Sequence, residues 1–435
     1  MERSPATAQS PEQPDGLHVV LGLIRAGIGR TRPELIRQTG LGRKLVSQRV
    51  DQLISAGLVT DGEFAPSTGG RAPRELRFRA DSGVLLVAEL GWTSLSVGLT
   101  DLAGRLLRQH EEPAEISSGP EKTLGRVEEL FDEILAHRSA SDPPAWGVGI
   151  GVLGPVDAAA GRPVALPIMP GWGDYPVRDR LADRYCVPVF VDNEVNLMAL
   201  GEFRGGLGRG ERDIVFVKIG SGLRAGLITG GRLHRGAGGA AGEIGHISIV
   251  EDDSVHCWCG NIGCLVQLAG GEALGRLGGI AADSGRSPGL AAMRAAGEKI
   301  DARAVAAAAA TGDAAGVELL TQAGRLIGRA LATLVNTFNP TLILIGGGVA
   351  GAGDLLLAAI RETVYRRSLP LSTRDVRVAF SPLSDTAGLI GAAFMVSDEL
   401  FSREHLSRWI DAGSPIGRTD LIQHSDFAPH PVRAG

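Results

Sequence analysis

Leu17, Val20, Leu21 and Ile24 recur at the 3.6-residue period of an amphipathic helix, and helical spacing resumes twice before residue 56. Thr31 can cap a second helix that carries Pro33 near its start, and Gly40 can end it. In "LGRKLVSQRVDQLISAG" the apolar face is Leu45, Val46, Val50, Leu53 and Ile54, which leaves Arg43, Lys44, Ser47, Gln48 and Arg49 on the early, open face. Next, "LVTDGEFAPSTGGRAPRELRF" alternates like a hairpin whose glycine-rich tip carries Arg71. Two helices joined by a tight turn and followed by a hairpin predict a winged helix-turn-helix over residues 16–80, all-α with a β-wing. Arg and Gln there suit base edges, Lys and Ser suit phosphates, and Arg71 suits the adjacent groove. A small helical domain with a solvated basic face would share this periodicity.

From residue 84 the pattern changes to short apolar runs punctuated by glycine. The runs 84–90 and 95–101, joined by "GWTS" and followed by a turn at "DLAG", predict antiparallel neighbours. Leu124, Val127, Leu130, Phe131, Ile134 and Leu135 form one face of a helix over 120–138. Further strands are "WGVGIGV", "VPVFVDN", "IVFVKIG", "RAGLITGG", "LILIGGG" and "VRVAFSP", with a helix over 318–337 and helices with loops across 273–315. This alternation predicts an α/β class with ligands at strand tips. Residues 1–15 and the tail 412–435 lack periodicity and are expected to be flexible.

The chain has 435 residues, 44% hydrophobic and 21% charged, which calls for more than one domain and a sizeable core. No apolar run reaches the roughly 18 residues of a membrane span, and the N-terminus lacks a signal-peptide apolar region, so a cytoplasmic protein with no membrane partner is expected. The net charge of −5 conceals an asymmetry, because residues 16–80 hold eleven Lys and Arg against five Asp and Glu. A basic module on an acidic remainder is the balance expected of a chain that contacts nucleic acid through one part only.

Three of the four cysteines crowd into "HCWCGNIGC", a density more typical of metal ligation than of disulfides. His246, Cys257, Cys259 and Cys264 supply one imidazole and three thiolates, the set a closed structural Zn2+ site uses. His256 competes as a ligand, although it adjoins Cys257. Cys186, alone in "RYCVPVF", reads as an inert core residue. The turns "ELGWT", "GSGLRAG" and "LIGGGVAGAG" follow strands and could bring backbone N–H groups to phosphates, or could be ordinary tight turns. In "VFVDNEVNLMALGE" a strand ends in Asp192, Asn193 and Glu194, which either read a ligand or cap the next helix.

The order of these motifs resembles the ROK family (repressors, open reading frames, kinases). The resemblance spans residues 84–398 through "GVGIGVLGPVD", "VDNEVNLMALGE", "GSGLRAGLITGG", "AGEIGH", "CWCGNIGC" and "NPTLILIGGG". It implies an actin-like (ribonuclease H-like) two-lobed domain, with a small lobe of about 84–192 plus a C-terminal helix and a large lobe of about 193–385. With the winged helix in front, it implies a repressor that binds a double-stranded DNA operator, senses a sugar or sugar derivative, and forms a homodimer or homotetramer. Asn193 and Glu243 would meet sugar hydroxyls, Glu194 would share the ligand-reading motif, and His246 would touch the ligand while its ring is fixed by zinc.

Several departures from the family's kinases point away from catalysis. Glu194 stands where those kinases have the aspartate that deprotonates the sugar. Glu89 and Trp92 alter the first phosphate loop, and Arg224 replaces a glycine of the second. Val266 replaces a glutamate that follows the last zinc cysteine. An active sugar kinase that uses Glu194 as base, and a constitutive DNA-binding protein with a vestigial pocket, are the alternative readings.

Overall fold

The computed structural model describes residues 16–64, 74–164, 168–349 and 353–422. The N-terminal stretch 1–15, Arg71 at the hairpin tip and residues 423–435 lie outside them.

The head consists of α1 (Leu17–Arg25), α2 (Arg32–Thr39), α3 (Arg43–Ser55) and an antiparallel pair, β1 (Val59–Phe64) and β2 (Arg74–Phe78). Thr31 Oγ1 accepts a hydrogen bond from the Glu34 amide, a cap contributing about 1 kcal/mol. Gly40 ends α2 in the left-handed region at φ 68. Val46, Val50 and Leu53 are buried against α1, whereas Leu45 and Ile54, on the flanks of the same face, are half-buried.

The first sheet is built from β3 (Val84–Leu90), β4 (Ser94–Asp101), β5 (Leu106–Pro113), β6 (Ala145–Val152) and β9 (Val189–Asn193). Its order is β5-β4-β3-β6-β9, antiparallel from β5 to β3 and parallel from β3 to β9. β3 is buried along its whole length, as its unbroken apolar run requires. β5 is an exposed edge whose sequence, LLRQHEEP, has no alternation to betray it; charges on an edge strand discourage further pairing. α4 (Pro120–Ala136) packs on the sheet, and the short pair β7 (Val156–Asp157) and β8 (Arg162–Pro163) and α5 (Val177–Tyr185) precede β9.

α6 (Glu194–Gly205) leads to the second sheet: β10 (Ile214–Ile219), β11 (Leu223–Thr229), β12 (Arg232–Leu233), β13 (Leu342–Gly346) and β14 (Arg377–Phe380). Its order, β12-β11-β10-β13-β14, repeats the connectivity of the first. Between β12 and β13 lie α7 (Leu265–Ala269), α8 (Gly271–Asp283), α9 (Pro288–Ala295), α10 (Ala302–Ala310) and α11 (Ala314–Phe338); the alanine-rich stretch 273–315 is thus helical with short loops. α12 (Asp354–Arg367) and α13 (Pro370–Thr373) precede β14. The chain closes with α14 (Ala387–Leu400) and α15 (Arg403–Trp409).

The head shares its core with these last helices. Leu21, Ile24 and Val50 belong to one apolar cluster with Trp146, Met395, Phe401 and Trp409. Two expectations are corrected here. Residues 412–422 do not form part of a loose tail: Leu421 is fully buried in that cluster, and the Gly417 amide donates to the Cys186 carbonyl at 2.8 Å. A single apolar anchor has no period, so pattern reading passes over it. Cys186 is exposed, not buried, because it takes the left-handed C-cap of α5 just before β9 enters the core.

Candidate functional site

The cleft is assembled where β3, β9 and β10 end and β11 begins. β9 delivers Asp192 and Asn193, and the chain turns into α6 at Glu194; all three side chains are buried. The Asn193 side-chain oxygen Oδ1 accepts from the backbone amides of Val195 (2.9 Å) and Asn196 (3.3 Å). Its amide group donates to the Gly154 carbonyl (2.7 Å) and to Glu194 Oε2 (2.8 Å). Asn193 therefore does cap the helix, and the same residue fixes the Glu194 carboxylate. Among the described residues Glu194 Oε1 has no hydrogen-bond partner, and it lies 3.7 Å from Lys218 Nζ.

Lys218 is the centre of the cleft's electrostatics. It lies in β10 directly across from Arg224 of β11, so the two cations share one face. Its ammonium is also 3.7 Å from Glu89 Oε1 at the end of β3. Burial pushes the Glu89 carboxyl up to about 7; Lys218 opposes the shift, and Glu194, Glu111 and Asp385 add to it. Arg224 pairs with Glu243, whose carboxyl burial raises while Arg224 lowers it. Arg235 holds Asp192 Oδ2 at 2.7 Å, and Asn196 donates to Asp192 Oδ1 at 2.9 Å. Each cation of this cleft is matched to a carboxylate.

Glu243 reaches Arg224 because its loop lies on the backbone of β11. Gly242 adopts φ 94, and a Cβ there would fall 1.8 Å from the Ala225 carbonyl oxygen, so no other residue fits. The Ala225 amide donates to the Gly242 carbonyl at 2.8 Å. Three residues on, His246 leaves the cleft for the cysteine loop.

There, the ligand atoms of His246, Cys257, Cys259 and Cys264 all lie within 4.8 Å of one another, a group able to hold a metal ion. His246 Nδ1 is 3.5 Å from Cys257 Sγ, and Cys259 Sγ is 3.7 Å from Cys264 Sγ. Burial and the neighbouring thiols push Cys264 up to about 12, so without a cation beside it this sulfur stays a neutral thiol. Burial and Arg224 lower the His246 pKa, which favours the neutral, ligating imidazole. His256 is exposed and lies outside that group. Val266 is half-buried beside Gly245 of the same loop.

On the head, Arg43, Lys44 and Gln48 are exposed along the first turns of α3, and Ser47 is half-buried among them. Arg49 donates to Gln52 Oε1 of its own helix at 3.1 Å, and Gln52 in turn donates to Asp411 Oδ1 of the body at 3.2 Å.

Sequence reasoning passed over Lys218 and Arg235. Lys218 had a signal: a lone lysine in the apolar strand IVFVKI must have a buried counter-charge. Arg235 follows a two-residue strand in a glycine-rich loop and offered none.

The two repeated sheets, the cleft between them and the helical head define a two-lobed, actin-like body preceded by a region that fits a DNA-binding domain. The chain belongs to the ROK family, whose match covers residues 86–399. It is 31% identical over 373 residues to a putative xylose repressor from Caldicellulosiruptor sp. (strain Rt8B.4), covering 86% of this chain and 92% of that protein. Against a glucokinase from Thermotoga maritima the identity is 32% over 316 residues, covering 73% of this chain and 98% of that one. The crystal structure of a ROK family transcriptional regulator, a homolog of the E. coli MLC protein, matches with a TM-score of 0.77 at 26% identity. That match covers 91% of this chain and 98% of the regulator.

Proposed function

We propose that this protein is a DNA-binding transcriptional repressor of carbohydrate-utilisation genes whose two-lobed domain senses a sugar and transfers no phosphate. The observation that carries the reading is Lys218. Its ammonium lies between Glu89 and Glu194, which by family resemblance are the acid of the first phosphate loop and the residue at the base position. The Lys218 ammonium stands 3.7 Å from the carboxylate that would have to take the sugar's proton, and Glu194 is a methylene longer than the aspartate it replaces, a displacement of about 1 Å that costs on the order of 100-fold in rate. The similarity to glucokinases keeps an ATP-dependent kinase as the second reading.

In this proposal Glu194 Oε1 and the Arg224–Glu243 pair read sugar hydroxyls, and Asn193 holds Glu194 in place. His246 borders the pocket while belonging to the metal cluster. Val266, where the kinases have a glutamate, suits a sugar with fewer hydroxyls. Xylose, for which several relatives are named, is the first candidate effector. The metal is Zn2+: a tetrahedron with zinc–sulfur bonds of about 2.3 Å has sulfur–sulfur edges of roughly 3.8 Å, close to the spacing of Cys259 and Cys264. The ion would be structural, since four protein donors leave no open position.

Arg43, Lys44, Ser47 and Gln48 are proposed to enter the major groove, with Arg71 on the wing and Arg49 in a supporting position on α3. A cytoplasmic homodimer or homotetramer would place two heads on half-sites about one helical turn apart, or a multiple of that. The test is binding to the promoter DNA flanking its own gene, titrated with xylose, other sugars, amino sugars and their phosphates, with and without ATP. Release by one compound without ATP turnover is the expected result. ATP-dependent phosphorylation of that compound selects the kinase, and binding that no compound alters selects a constitutive regulator.

A further inference from the structure

Two helices run side by side from the cleft to the head. α6 starts at Glu194 and has Arg204 in its last turn. α14 starts against the other end of the same ion cluster, where a Cβ on Gly388 would fall 1.6 Å from Glu89 Oε2. The helices touch backbone to backbone. A Cβ on Gly391 would sit 1.8 Å from the Leu197 carbonyl oxygen, and one on Gly201 would sit 2.0 Å from that of Ala387. Packing this close leaves no room for one helix to slide past the other, so a displacement of either is shared.

Ten residues on in each helix, roughly 15 Å at 1.5 Å per residue, both reach Asp398. Arg204 pairs with Asp398 Oδ2 from α6, and Arg25 of α1 pairs with Asp398 Oδ1 at 3.3 Å. Arg25 also donates to Ser397 Oγ at 2.9 Å and lies over the rings of Phe401 and Phe78, at 4.7 and 5.7 Å. A guanidinium at the C-terminal end of α14 is further favoured by the helix dipole. The head is thus fastened where the two cleft helices end.

We propose that α6 and α14 act as one rigid relay and that Asp398, gripped by Arg204 and Arg25, is its output to the DNA-binding head. Movement of Glu89 or Glu194 in the cleft is carried along both helices and changes how firmly α1 is held. Arg25 and Asp398 are positioning residues; neither touches ligand or DNA in this scheme. The inference rests on the effector reading only for what moves the cleft in the cell.

The test therefore uses neither sugar nor DNA. Hydrogen exchange of the full-length chain is followed in residues 17–25 for wild type, Lys218→Met, Asp398→Asn and the double variant. Lys218→Met releases Glu89 and Glu194 from their shared cation and is expected to change α1 exchange about tenfold, the scale of one charge-assisted hydrogen bond in a local opening equilibrium. In the Asp398→Asn background the same substitution is expected to change it less than twofold. Glu89→Gln, a milder perturbation of similar shape, replaces Lys218→Met should that chain not fold. An α1 that ignores both cleft substitutions, or responds equally with and without Asp398, overturns the relay. Failure of the repressor reading would appear separately, in the promoter titration.

Discussion

Glu243 and His246 lie three residues apart on one loop, yet they serve two kinds of site. Around His246 the chain gathers donors of one character, three thiols and an imidazole, which can be charged together only around a cation. Around Glu243 it alternates signs, so that Arg224, Lys218 and Arg235 pair with Glu243, Glu194, Glu89 and Asp192 from within, Lys218 being shared by two of them. The cluster is a group able to hold an ion from outside. The cleft carries its own counter-charges, and a neutral polyol can exchange hydrogen bonds there without bringing charge with it.

Removing a donor from the cluster should have the largest effect. Cys259→Ser leaves three ligands, and the loop from His246 to Cys264 is expected to lose both its metal and its order, a destabilisation of several kcal/mol. Metal content by mass spectrometry and thermal unfolding with and without a chelator check this. Because Glu243 rides on the same loop, the sugar response should fail before DNA binding does. Normal induction by sugar in Cys259→Ser would separate the two sites.

That the four side chains of the cluster come together was legible in the sequence because the signal is local. Cys257, Cys259 and Cys264 fall within eight positions, a crowding more typical of metal ligation than of disulfides. The three head helices were legible for the same reason: periodicity, the Thr31 cap and the Gly40 stop are read within a few residues. The cleft is different in kind. Lys218 meets Glu89 and Glu194, and Asp398 meets Arg204, only after two sheets and two helices have been placed, and no spacing encodes that. β5 escaped notice because an edge strand is defined by its hydrogen bonds to β4 and not by a buried face. Leu421 did so because one anchoring side chain has no rhythm.

The second effect tests whether the cleft is as self-contained as its pairing implies. Glu89 is raised from its ordinary 4.5 to about 7 by burial. A carboxyl whose pKa is higher in the folded chain stabilises the fold below its unfolded value, and that stability is lost as pH rises through the folded one. Between about pH 4.5 and 7 Glu89 should therefore cost the protein stability progressively, up to about 3 kcal/mol. Glu89→Gln should erase this slope and make the variant more stable than wild type at pH 8. Urea unfolding of the two chains at pH 5 and pH 8 reads the difference. Parallel pH curves would mean that Lys218 already compensates Glu89 fully.

The smallest effect is the most informative about function. If the cleft had lost phosphate transfer only through the extra methylene at position 194, then Glu194→Asp would restore the kinases' geometry and recover on the order of 100-fold in turnover. The pairing implies otherwise. An aspartate there would still face the Lys218 ammonium, Arg224 would still pair with Glu243 at the start of β11, and Trp92 would still follow β3. Turnover of ATP with xylose or glucose should therefore stay at background in Glu194→Asp, while sugar affinity falls modestly because the shorter carboxylate leaves its Asn193 bond. A kinase rate appearing in that single variant would show that the counter-charges of the cleft are incidental, and the contrast with the metal cluster would have to be drawn elsewhere.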